Sequence, residues 1–108
     1  MKIKTILIIL AGLLIGCSDF NTEPVITSLT ADNTTVSLGG TVLLTCTAED
    51  DDDDSLTYIW KCTNGSLAPN GNTATWTAPG SPGTYSISCA VTDGNDGSTM
   101  DIIDITVL

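Results

Sequence analysis

The chain has 108 residues, with 13 acids against 3 bases and no histidine, for a net charge of −10 at pH 7. That length holds one small domain, and such an excess of acid excludes nucleic acid and anionic membrane surfaces as partners, because binding them needs clustered Lys and Arg. The absence of any imidazole removes the usual base of serine and cysteine hydrolases, and no G-x-S-x-G, glycine-rich phosphate loop or H-E-x-x-H pattern points to another chemistry.

Residues 1–16 read as an export signal. Lys2 and Lys4 form a basic head, and residues 6–15 form an apolar run of about ten, half the roughly 20 that a bilayer span needs but right for a signal core. The run closes on "LIGC", residues 14–17, which resembles the lipobox of bacterial lipoproteins. The resemblance implies that Cys17 is lipidated as the first residue of the mature chain. Two or three fatty chains then hold the protein on its membrane, each buried methylene contributing about 0.8 kcal/mol. Ser18, where an Asp would resemble an inner-membrane retention signal, favours the outer membrane of a cell envelope. With residues 1–16 removed, Lys61 is the only base left against thirteen acids, and the side chains sum to 1 − 13 = −12. Residues 17–23 are then a lipidated, polar tether and residues 24–108 the domain.

No helical period follows. Val42, Leu44, Cys46 and Ala48 alternate at period two, as a half-buried strand does. An acid run, residues 49–54, separates them from Tyr58, Trp60 and Cys62, which share one parity. Turn chemistry comes at Gly39-Gly40, Asn64-Gly65, Asn70-Gly71 and residues 78–83, "APGSPG". Trp76 lies on "TATWTAP" and is assigned to the core, as is Trp60. Tyr85, Ile87, Cys89 and Val91 alternate next, then "DGNDG" at residues 93–97, then Ile103, Ile105 and Val107. The fold expected is all-β, an antiparallel β-sandwich of about seven strands.

The order Cys46, Trp60, Cys89 resembles the cysteine, tryptophan, cysteine core of immunoglobulin-like domains. More closely, "AEDDDDDSLTYIW", "TATWTAP", "GTYSISCAVTDGNDG" and "DITVL" resemble bacterial Ig-like repeats of the PKD and cadherin-like kind, over roughly residues 24–108. The resemblance implies a cell-surface setting and a Cys46–Cys89 bridge between sheets with Trp60 packed on it. Closing that loop of about 43 residues contributes roughly 4 kcal/mol in the chain-entropy model. Cys62 is then a buried free thiol; the rival pairing joins Cys62 to Cys89 on neighbouring strands. A zinc site of three thiolates is disfavoured without His or a C-x-x-C pair. Tyr85 stands four residues before Cys89, where antibody-type domains place a tyrosine two before, which argues against a tyrosine corner.

The function expected is that of a non-catalytic adhesion or interaction module, lipid-anchored and binding a protein or glycan. The alternative is a structural spacer or stalk base without a specific ligand. An aliphatic or aromatic patch on an exposed strand face would separate the two. The acid run raises one more question. In a sandwich of this topology the loops holding residues 49–54 and 93–97 share an end, and Ca²⁺ takes six to eight oxygens. Asp50, Asp52, Asp54, Asp93, Asn95 and Asp96 are the candidate ligands. The run lacks alternating D-x-D-x-D spacing, so the competing reading is a solvated loop whose charges repel.

Overall fold

The computed structural model describes residues 22–51 and 55–108, and among these there are eight strands and no helix. They are β1 Val25–Ala31, β2 Thr35–Val36, β3 Thr41–Glu49, β4 Thr57–Cys62, β5 Ser66–Asn70, β6 Thr73–Thr77, β7 Gly83–Thr92 and β8 Ser98–Val107. Two four-stranded sheets form a sandwich, ordered β1-β3-β6-β5 and β2-β8-β7-β4. Among the described residues every strand and core residue lies within residues 24–108, so a chain beginning at residue 22 contains all eight described strands. The expected signal segment and Cys17 lie outside the described residues.

Period-two patterning builds this core. Val42, Leu44 and Cys46 point inward from β3, Trp60 from β4, Ala74 and Trp76 from β6, Ile87, Cys89 and Val91 from β7, and Ile105 and Val107 from β8, all buried. Trp60 is 7% exposed and Trp76 0%, which puts both in the core as expected. A buried indole still needs an acceptor for its N–H. The two Asn-Gly turns supply them: Trp60 Nε1 donates to Gly71 O at 3.0 Å and Trp76 Nε1 to Asn64 O at 2.8 Å. Gly65 is dictated by this packing. Its φ is +84°, and a Cβ there would fall 2.7 Å from Trp76 Nε1, so a side chain meets both backbone strain and the indole.

The strand count exceeds the expected seven because of β2, two residues that pair in parallel with Thr106 and Val107 of β8. After a register shift between Ile26 and Ser28, β1 leaves β3 at Ala31, and the chain crosses to the other sheet. Thr106 N donating to Thr34 O and Leu108 N to Val36 O, both at 2.9 Å, hold it there. Pro69, which lacks an N–H, falls on edge strand β5, where sheets tolerate proline. The tyrosine expectation is corrected: Tyr85 Oη donates to Ser81 O at 2.7 Å, a corner bond four residues upstream, made from a position two residues earlier than in antibody domains.

Candidate functional site

Three places in this frame hold the residues singled out in the sequence. The first is the end of the sandwich where β1 begins. Val25 pairs with Glu49, and Thr57 with Thr92, so the loop carrying residues 50–56 and the β7–β8 turn share that end with the chain's entry, as expected. Asp93 is 3% exposed. Its Oδ1 accepts from Asn95 N at 2.8 Å and Gly97 N at 2.9 Å, and its own N–H donates to Gly97 O at 3.1 Å. Gly94 at φ +79° and Asp96 at φ +71° close the turn in the left-handed region. Asp93 is thus the organising residue of its own turn. Asn95 and Asp96 are exposed, while Asp52 and Asp54 lie outside the described residues. Among the described residues no three metal-ligating side chains converge.

The second place is the cysteine pair. Cys46 and Cys89 are both fully buried free thiols on facing sheets. Burial pushes both thiols up, Cys89 to about 12, with the neighbouring Cys46 adding to that rise; at Cys46 the neighbouring Cys89 partly offsets the rise and the Asp101 carboxylate adds to it. These two sulfurs are the ones brought together. Cys62 pairs with Ile87, two residues along β7 from the Trp60–Cys89 pair. Such diagonal neighbours typically lie about 7–8 Å apart between Cα atoms, beyond the usual span of a disulfide, which disfavours the rival bridge. Nor is Cys62 fully buried. It is half-buried at the end of β4, its Sγ 3.9 Å from Gly65 O.

The third place was not singled out beforehand. An antiparallel sheet with one wet face carries polar residues outward, yet the outer face of β4, β7 and β8 breaks that rule. Ile59, Ala90 and Met100 lie in one cross-strand row, and Lys61, Ser88 and Ile102 in the next. Ile59 is 43% exposed, Met100 59% and Ile102 53%. The outward residues of central β7 are small, Ser86, Ser88 and Ala90, so the aliphatic residues of β8 stand as a ridge beside a valley. A depression of about 200 Å³ lined by Lys61, Cys62, Thr63, Ser86, Ser88 and Ile102 opens there. Beyond Ile102 on the same face, Asp104 is held by Ser86 Oγ donating to its Oδ1 at 2.7 Å. The signal in the sequence was parity: Met100 and Ile102 alternate out of phase with inward Ile103, Ile105 and Val107.

Comparison with known proteins gives a family match, to the K319L-like PKD domain over residues 30–107. No curated protein sequence matches the chain. Among solved structures it is similar to the Yersinia pseudotuberculosis adhesin InvE, at 24% identity and TM-score 0.57, covering 75% of this chain and 26% of that one. It is also similar to the N-terminal Ig1-2 module of the Drosophila receptor protein tyrosine phosphatase DLAR, at 14% identity and TM-score 0.56, covering 80% and 49%. An immunoglobulin complex of titin with obscurin-like 1 gives 15% identity and TM-score 0.54, covering 82% and 96%. The chain therefore spans about a quarter of the adhesin and half of the receptor module, and at these identities the likeness is one of fold.

Proposed function

The chain belongs to the K319L-like PKD domain family, and from that premise we propose that it is a non-catalytic interaction module of a cell envelope, held on the outer membrane by lipid on Cys17. One observation carries the reading. Three aliphatic side chains, Ile59, Met100 and Ile102, each stand about half exposed on one sheet face, Ile59 and Met100 on either side of Ala90 and Ile102 two residues along β8 from Met100. Contiguous exposed apolar surface on a soluble domain marks an interaction site more often than a bare scaffold. The structural similarity to an adhesin, in a quarter of that protein's length, supports the same reading. A spacer without a ligand has no use for such a face.

Two measurements test it. Radiolabelled palmitate enters the full chain expressed in a bacterium, and Cys17→Ala abolishes the labelling; label retained by that variant removes the anchor. Immobilised residues 22–108 capture a component of envelope or host extracts. Ile102→Lys abolishes capture, while Leu43→Lys, at a residue 46% exposed on the opposite sheet, leaves it intact. Equal capture by both variants would return the spacer reading.

A further inference from the structure

The main-chain groups at the sheet edges single out one of them, β4. Resting on the reading of this domain as an interaction module, we propose that β4 takes up an extended segment of a partner protein as an added antiparallel strand, selected by an acid opposite Lys61 and an apolar residue opposite Ile59.

Hydrogen-bond parity fixes what β4 offers. Thr63 N donates to Ser86 O at 3.0 Å, and along an antiparallel pair the residues bonded to the neighbour alternate with residues whose main chain faces away. Ile59 and Lys61 therefore bond β7, while the N–H and C=O groups of Tyr58, Trp60 and Cys62 face the free side of the sheet. Among the described residues none of these six groups has a hydrogen-bond partner.

The other edges are guarded, as sheet edges usually are. β1 is broken by its register shift between Ile26 and Ser28. In β6, Ala78 N donating to Gly40 O turns the main chain of Thr73, Thr75 and Thr77 toward β5, so Leu67 and Pro69 face outward on β5, and Pro69 has no N–H to offer. On β8 the bond from Thr106 N to Thr34 O puts Ile102 N on the outer side as well, where Asp101 Oδ1 already takes it at 2.9 Å. β4 has a single guard, Lys61. A lysine on an edge deters indiscriminate pairing, but opposite a carboxylate the same side chain gains a cross-strand partner.

That selectivity defines the occupant. With Tyr58, Trp60 and Cys62 bonded to an added strand, Ile59 and Lys61 occupy its non-hydrogen-bonded positions, where opposing Cα atoms come within about 4.5 Å and side chains lie closest. Ile59 is half-exposed in a row with Ala90 and Met100, so an apolar residue opposite it extends that row. Lys61 is the only base in residues 17–108, and it stands toward the end of β4 that lies away from residues 49–51. An acid opposite it therefore meets the least repulsion. Antiparallel pairing continues the pattern of β4, β7 and β8 and is slightly the more stable, so the segment reads acid-x-apolar from its N-terminal side, beside Cys62. A second copy cannot supply it from its own β4, which contains no acid.

The probe is acetyl-Thr-Val-Thr-Glu-Thr-Val-Thr-amide, titrated to millimolar concentration into residues 22–108, with amide hydrogen exchange read by NMR. The peptide should slow exchange at Tyr58, Trp60 and Cys62. N-methylation of the two threonines beside Glu removes the N–H groups that face β4 and should abolish binding; N-methylation of Glu and the following Val, whose N–H groups face away, should leave it intact. Lys61→Glu, confirmed folded by melting, should weaken binding several-fold, and a peptide with Lys in place of Glu should recover it. No slowing at those three amides overturns the proposal, as does equal loss from both methylation patterns. If they stay unprotected while Ile102→Lys still abolishes capture from extracts, the added strand falls and the interaction module stands. If there is neither protection nor capture, both fall.

Discussion

Asp93 shows how one side chain can specify a turn. Its Oδ1 satisfies the N–H groups of Asn95 and Gly97 inside a loop where no strand partner reaches them. Truncation leaves the buried Gly97 N–H unmade, at about 1–3 kcal/mol, and frees the less buried Asn95 N–H at smaller cost. Asp93→Ala is therefore expected to destabilise residues 22–108 by about 2 kcal/mol or more, read as the shift in urea midpoint at constant slope. Asp93→Asn keeps an acceptor oxygen and should cost distinctly less. Equal losses would mean that the charge, rather than the acceptor geometry, holds the turn.

The cysteine pair gives a prediction with a definite sign. Burial raises both thiols above the ordinary 9.0, Cys89 to about 12. Above the unfolded value the folded chain keeps protons that the unfolded chain has lost. Thiol-linked stability is thus complete below about pH 9 and is lost as pH climbs toward about 12. Tyr58, raised above its ordinary 10.0 mainly by burial, adds in the same direction. We propose that the oxidising envelope joins Cys46 to Cys89. The bridged chain has no thiols there to ionise, so its melting temperature should fall less steeply over this alkaline window than that of the reduced chain. Non-reducing peptide mapping should find Cys46 linked to Cys89 and Cys62 open to alkylation. Parallel alkaline slopes for oxidised and reduced protein would show that no bridge forms.

At the level of elements, the inward stripes were legible because burial imposes period two, as Val42, Leu44, Cys46 and Ile87, Cys89, Val91 do. The end of the sandwich that gathers the acid loops was legible too, since topology alone sets it. Other features come from contacts between distant parts of the chain and leave no local pattern. β2 is two residues long and exists only because β8 offers it a parallel edge. The indole acceptors, Asn64 O and Gly71 O, are backbone atoms of turns whose side chains gave no hint of them. The apolar outer face escaped notice because Ile59 is flanked by Tyr58 and Trp60, and Ile102 by Ile103, so that apolar residues run on both parities. Asp93 Oδ1 accepts two backbone N–H groups of its own turn, and of the two readings of the acid loop we propose the solvated one. Millimolar Ca²⁺ and Mg²⁺ are expected to raise the melting temperature alike, by screening. A larger rise with Ca²⁺, accompanied by heat on titration, would show that residues 50–56 close on an ion after all.

The whole molecule is electrically lopsided along its length. Glu23, Glu49, Asp50, Asp51, Asp93 and Asp96 gather where the chain enters, whereas the opposite end, made of residues 37–40, 63–65 and 78–83, bears no ionisable side chain. A short tether from Cys17 would leave the acidic end next to the lipid headgroups. Like charge repels across roughly 10 Å at 0.1 M salt and across less as salt rises. The domain is therefore expected to stand off an anionic bilayer, with its uncharged end outward and the β4-β7-β8 face turned sideways. A fluorophore at Ser81→Cys, in a Cys62→Ser background, should report this by energy transfer to a bilayer dye when the chain is coupled to vesicles at its start. On anionic vesicles transfer should be low and should rise with salt; on zwitterionic vesicles it should not depend on salt. Transfer indifferent to lipid charge would mean that the tether, and not the acidic end, sets the domain's height.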